Sequence, residues 1–134
     1  MTDMDTRQAY IDQMARDRGY VLDYHKVMAA HDFDVLTAAN GLVSAAYLSQ
    51  RTLDRRTKEL LFILSLTVLR ASEAHIASHI KVALDLGVSA TEILEAIEIA
   101  LPEAGIVAFQ HGFDVWKKVT GAQGLEPNID APSS

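Results

Sequence analysis

The stretch Glu59–Leu69, reading ELLFILSLTVL, constrains the fold of this chain more than any other segment. Its apolar run is about half the length a membrane-spanning helix needs, so it predicts a helix buried in protein. On a helix, Glu59 shares a face with Phe62, Ile63 and Leu66, and its carboxylate points where a core belongs. A second helical stretch repeats the pattern. His75 and His79 lie four residues apart, about one turn, and project from one face that continues through Val82, Ala83 and Leu86. Ionisable groups that cannot reach water need a partner or a use, so Glu59, His75 and His79 are the first candidates for a site.

The remainder of the chain reads as helices. Its three prolines stand at 102, 127 and 132, two of them in the tail, and no strand-like alternation lasts more than a few residues. The pattern predicts helices over about 6–18, 20–30 and 33–48, with Gly19 stopping the first and Gly41 lying among small residues in the third. Asp54 is a fitting N-cap for a helix reaching about Arg70. After a break at Ala71-Ser72 comes the histidine helix, closed by Gly87; Ser89-Ala90-Thr91-Glu92 then reads as a capping box. A helix from Ala90 to about Ala100 follows, and Pro102-Glu103 is expected to open the last one, running to about Val119. The expected fold is all-α, a compact bundle of about six to seven helices in a single domain over residues 1–120. Residues 121–134, with glycine, proline and serine, are expected to form a mobile tail.

Composition removes several function classes. At 134 residues and 49% hydrophobic the chain is one globular domain with a sizeable core. A net charge of −6 and the lack of any basic cluster beyond Arg55-Arg56-Thr57-Lys58 argue against nucleic acid or an anionic membrane as partner. There is no cysteine, which excludes disulfides, thiolate metal sites and thiol redox chemistry. The acidic start Met1-Thr2-Asp3-Met4-Asp5 has no apolar segment of the signal-peptide kind, and a cytoplasmic location is the expectation.

The segment 53–100 carries a resemblance. Leu53-Asp54-Arg55-Arg56-Thr57-Lys58-Glu59-Leu60-Leu61, then His79, then Ala83-Leu84-Asp85-Leu86-Gly87-Val88-Ser89-Ala90-Thr91-Glu92-Ile93-Leu94-Glu95-Ala96, resembles the carboxymuconolactone decarboxylase family, which includes the alkyl hydroperoxidase D proteins. In the peroxidase branch the pattern is a glutamate, a Cys-x-x-Cys pair and a histidine four residues later. Glu59 matches the glutamate and His79 the histidine, while Ser72 and His75 stand at the cysteine positions. The thiol peroxidase reaction needs one thiolate to attack and a second thiol to resolve, so it is excluded here. The resemblance implies the family's other chemistry, cofactor-free decarboxylation of a small carboxylated lactone or keto acid from aromatic-compound breakdown. It also implies an alkyl hydroperoxidase D-like helical fold assembled as a homotrimer or homohexamer.

On that reading His79 is the general acid/base, Glu59 orients it or shares its proton, and His75 polarises the substrate. Ser72 and His111 are candidate substrate-binding residues, His111 lying on an apolar stripe of the last helix with Val107 and Val115. Each has a plainer reading: Glu59 paired with Arg55, His79 bonded to a carbonyl, Ser72 as a helix cap, His111 as a lone core histidine. Phe109, Phe113 and Trp116 read as core or subunit interface, and Glu92, Glu95 and Glu98 as a solvated acidic face. No cofactor is expected. If a metal binds, His75 and His79 are its ligands, since imidazoles at i and i+4 can share one ion, although the spacing is common and no zincin motif is present. A non-catalytic, ligand-binding family member is the competing function.

Overall fold

The computed structural model describes residues 2–130, and among these the chain is helical with no strand. The helices are α1 (Asp3–Arg18), α2 (Asp23–His31), α3 (Phe33–Val43), α4 (Arg55–Val68), α5 (Glu73–Asp85), α6 (Ala90–Glu98), α7 (Ala100–Ala104) and α8 (Ile106–Thr120). A π-helical turn, Ser44–Leu48, extends α3.

Local chemistry sets most of the boundaries. Gly19, at φ 87°, ends α1 in the left-handed region that glycine tolerates. The Asp54 carboxylate accepts from Thr57 N–H to start α4, Ser72 Oγ accepts from His75 N–H to start α5, and Ser89 with Glu92 forms the expected capping box on α6. Two expectations are corrected. The third helix changes register at Ser44, where Ser49 N–H reaches back five residues to the Ser44 carbonyl at 2.9 Å. Pro102 and Glu103 belong to the short α7; Gly105, at φ 90°, separates it from α8, which starts afresh at Ile106.

The apolar side chains fall into two clusters. The larger one joins α4, α5, α6 and α8 through Ile63, Leu66, Ile76, Ile80, Ile93, Ile97 and Val115, with Phe109 and Trp116 packed against it. The smaller one holds α1, α2 and α3 together through Met14, Ala29 and Leu36. Helices α4 and α8 approach closely because Gly112 has no side chain: a Cβ there would lie 2.9 Å from Thr67 Cβ and closer still to Oγ1 and Cγ2. The two clusters meet across a seam lined by polar groups of α1, the π-turn, α4 and α5. His111 donates from Nε2 to the Ala71 carbonyl at 2.6 Å, which pins α8 to the turn between α4 and α5.

No helix among the described residues is long and apolar enough to cross a membrane. Of the expected tail, Gly121 caps α8 in the left-handed region, residues 122–128 are irregular, and residues 131–134 lie outside the described part.

Candidate active site

Glu59 and His79 come from facing helices, α4 and α5, and both are fully buried. Their side chains meet at 2.7 Å, Glu59 Oε2 against His79 Nδ1. Burial pushes the Glu59 carboxyl above its usual range, while the hydrogen bond and charge of His79 oppose that shift. The second carboxylate oxygen accepts from Arg55 Nε at 3.0 Å, one turn earlier on α4. Arg55 also donates to the Arg18 carbonyl at 2.7 Å and to Tyr47 Oη at 2.9 Å. Its guanidinium carbon lies 4.6 Å from the Tyr47 ring centroid, a cation–π contact. Arg55 thus supplies a counter-charge for Glu59 and ties it to the end of α1. The sequence left Glu59 open between an Arg55 partner and a catalytic carboxylate; its two oxygens are shared between Arg55 and His79.

The far nitrogen of His79 faces the connection between α1 and α2. Tyr20 Oη lies 3.2 Å from His79 Nε2, which makes Glu59, His79 and Tyr20 a continuous hydrogen-bonded chain. Burial raises the Tyr20 pKa, so the phenol stays protonated at neutral pH; the neighbouring Arg18 charge works against that rise. The His79 ring is held flat by Phe62, stacked at 4.6 Å with 6° between the planes, and Tyr20 and Tyr47 meet it edge-on at 5.0 and 5.8 Å. Tyr47 reaches this place from the π-turn, and Lys58 Nζ anchors that segment by donating to the Tyr47 and Ser49 carbonyls.

The other sequence candidates are placed as follows. His75 is half-buried beside His79, ring centroids 5.4 Å apart, with no hydrogen bond between them. Burial lowers its pKa, and the charges of His79 and Arg18 add to that, so the ring is neutral at pH 7. Ser72 is exposed and serves as the N-cap of α5. His111 is bonded to the Ala71 carbonyl and makes no hydrogen bond to Glu59, His75 or His79. Among the described residues no three or more His, Cys, Asp or Glu side chains are grouped to hold a metal ion. Both His79 nitrogens already face protein partners, so a metal there would have to displace Tyr20 or Glu59.

Sequence reasoning found the Arg55–Glu59 pair and missed Tyr20 and Tyr47 as parts of the same network. Arg55–Glu59 was readable as an i, i+4 pair. Tyr20 and Tyr47 sit on other elements, and helical periodicity carries no information across elements.

Chemically, the chain can hold a proton on a carboxyl–imidazole pair and pass it through a phenol. Glu59 and His79 are sealed from solvent, whereas Tyr20 and His75 are only partly buried, so solvent reaches the surroundings of the pair at those two residues.

Comparison with known proteins agrees with this architecture. The crystal structure of a candidate carboxymuconolactone decarboxylase from Burkholderia xenovorans LB400 superposes with a TM-score of 0.68, covering 92% of this chain and 100% of that one, at 16% sequence identity. At that identity the likeness speaks for the fold alone. No curated protein matches the sequence. The family model for the carboxymuconolactone decarboxylase family matches residues 34–118, well over half of the chain and the span that holds both Glu59 and His79. The chain therefore belongs to the carboxymuconolactone decarboxylase family.

Proposed function

We propose that the protein is a cofactor-independent acid/base lyase that decarboxylates a small carboxylated lactone or keto acid. The observation that carries this reading is the unbroken Glu59–His79–Tyr20 chain, with its inner end buried and its outer end at the edge of the seam. Decarboxylation breaks the bond to the carboxylate carbon and leaves its electron pair on the substrate as an enolate. That carbanion needs one proton, delivered without competition from bulk water. Tyr20 supplies it to carbon, His79 Nε2 restores the Tyr20 proton, and Glu59 stabilises the imidazolium that holds the charge beforehand. Solvent then re-protonates the network, so one proton is consumed and one carbon dioxide released per turnover. On this reading His75, half-buried beside His79, donates to the developing enolate oxygen.

The test is carbon dioxide release from a panel of carboxylated lactones and β-keto acids. His79→Ala is expected to lower turnover by about 10²–10⁴-fold with the helical signal intact. Tyr20→Phe, which keeps the ring packing, is expected to lower kcat more than it alters KM. Wild-type activity that survives unchanged in both variants would remove the network from the reaction. No release from any member of the panel would refute the lyase reading for that substrate class.

A further inference from the structure

Beyond the Glu59–His79–Tyr20 chain, on the side of the seam formed by α1, α2 and α3, lies a recess of about 60 Å³ lined by Arg18, His25 and Asn40 among apolar neighbours. Arg18 is 6% exposed and His25 1%. Arg18 Nη2 donates to Asn40 Oδ1 at 2.6 Å, and Asn40 in turn donates to Tyr10 Oη at 2.8 Å. None of the ion pairs among the described residues includes Arg18, so its buried guanidinium has no counter-charge there. Two buried polar atoms have no hydrogen-bond partner within the described residues, and they are Arg18 Nε and His25 Nε2.

Both unpartnered atoms are donors. Arg Nε always carries a hydrogen. For His25 the tautomer follows from its other nitrogen: Leu22 N–H donates to Nδ1 at 3.0 Å, so Nδ1 bears the lone pair and the ring hydrogen sits on Nε2. Burial, with the Arg18 and His75 charges adding to it, lowers the His25 pKa to about 4, which leaves the ring neutral at pH 7. The residues that line the recess therefore carry one positive charge and two unmet N–H groups. Leaving such donors buried and unpaired is costly, and an acceptor of one negative charge would answer both the charge and the unmet donors. At roughly 15 Å³ for each water-sized unit, the volume suits a group of about four heavy atoms. The exposed Tyr24 and Val35 are among its lining residues, so solvent reaches it.

We propose that the Arg18–His25 recess is a binding site for a small carboxylate group. It lies outside the span matched by the family model except for residues of α3. The Arg18 guanidinium stands 6.0 Å from the centroid of the Tyr20 ring, the same ring whose hydroxyl meets His79. As an anchor for a substrate carboxylate beside Tyr20, the site rests on the lyase reading above; as a carboxylate site it does not.

The experiment is a titration of ¹⁵N-labelled full-length protein with acetate, reading the Arg18 Nε–H and His25 Nε2–H resonances, with acetamide and chloride as controls. Saturable shifts of both resonances are expected at acetate concentrations on the order of 1–10 mM, a range fitting a four-atom ligand. Acetamide and chloride are expected to leave them in place. Arg18→Met is expected to weaken acetate at least 10-fold. Equal responses to acetate and acetamide, or to acetate and chloride, would overturn the proposal, as would no saturable response, which would leave water as the sole occupant. If Arg18→Met does not fold, the wild-type comparison of the three solutes decides alone. No turnover is read, so this result and the decarboxylation assay fail independently.

Discussion

His25→Gln isolates the energetic weight of one buried neutral imidazole. Glutamine is the residue usually found at this N3 position of a capping box, and its amide oxygen can accept from Leu22 N–H as Nδ1 does now. The variant keeps the cap and a donor but loses the titration. In the folded protein the His25 pKa is lowered from 6.5 to about 4, first by burial and then by the Arg18 and His75 charges. Between those two values the unfolded chain binds the proton and the native chain does not. Stability is therefore present in full above about pH 6.5 and is lost as pH falls towards 4. Going from pH 7 to pH 5, the unfolded ring goes from about one quarter to nearly fully protonated while the native ring stays mostly neutral, which corresponds to a loss of about 2 kcal/mol. Residual structure in the unfolded chain reduces this, and about 1–2 kcal/mol is expected. Urea unfolding at the two pH values, in a carboxylate-free buffer, gives the loss for wild type and for His25→Gln. Other titrating groups are common to both proteins and cancel in the difference between them. A difference below about 0.5 kcal/mol would refute the claim that His25 is buried as a neutral ring, because the linkage relation leaves no other outcome.

Gly112→Ala is expected to destabilise by about 1–2 kcal/mol, since overpacking against Thr67 outweighs the helix propensity that alanine adds. Thr67 is fully buried with its hydroxyl bonded to the Ile63 carbonyl, so it has little room to retreat, and an unchanged urea midpoint would sink the argument. We propose that the chain self-associates as the homotrimer or homohexamer the family resemblance implies, with the exposed apolar residues Leu61, Leu69, Ile99, Leu101, Ile106 and Val107 as the candidates for the contact. Light scattering is expected to return three or six times the 14.7 kDa chain mass, and the double variant Leu101→Glu/Ile106→Glu to lower it. A monomer at micromolar concentration would remove that proposal.

What the sequence revealed depends on where the signal lay. Glu59 and His79 stand out because each interrupts an apolar face of its own helix, and helical periodicity exposes such conflicts directly. The caps at Asp54, Ser72 and Ser89 were legible for the same reason, being local chemistry within four residues. Tyr20 reaches His79 across 59 positions and Arg18 reaches Asn40 across 22, and nothing in a single helix period encodes such meetings. His25 was hidden differently: its neighbours in sequence make it a helix-start residue, and its burial comes from α1 and α3 packing over it. His111 shows the converse. Its stripe is apolar, yet a carbonyl at the turn before α5 claims its ring. The break between α7 and α8 was missed because Pro102 gave the stronger local signal, while Gly105 acts through a positive φ that sequence spacing does not disclose.

Two apolar clusters with a polar seam between them also set how the protein breathes. We expect the cluster of α1–α3 to come away while Ile63, Ile76 and Ile80 stay packed, because the two sets of buried side chains form separate clusters. Such an opening would cost less than global unfolding and would appear in amide hydrogen exchange as a cooperative unit spanning α1 to α3. It would part Tyr20 from His79 and Arg55 from the Arg18 carbonyl together, leaving Glu59 and His79 paired but opened to solvent. Any ligand that bridges the seam acts on that opening as a clasp, and its affinity would be registered as slower exchange at α1, far from the carboxylate and imidazole it was bound to serve.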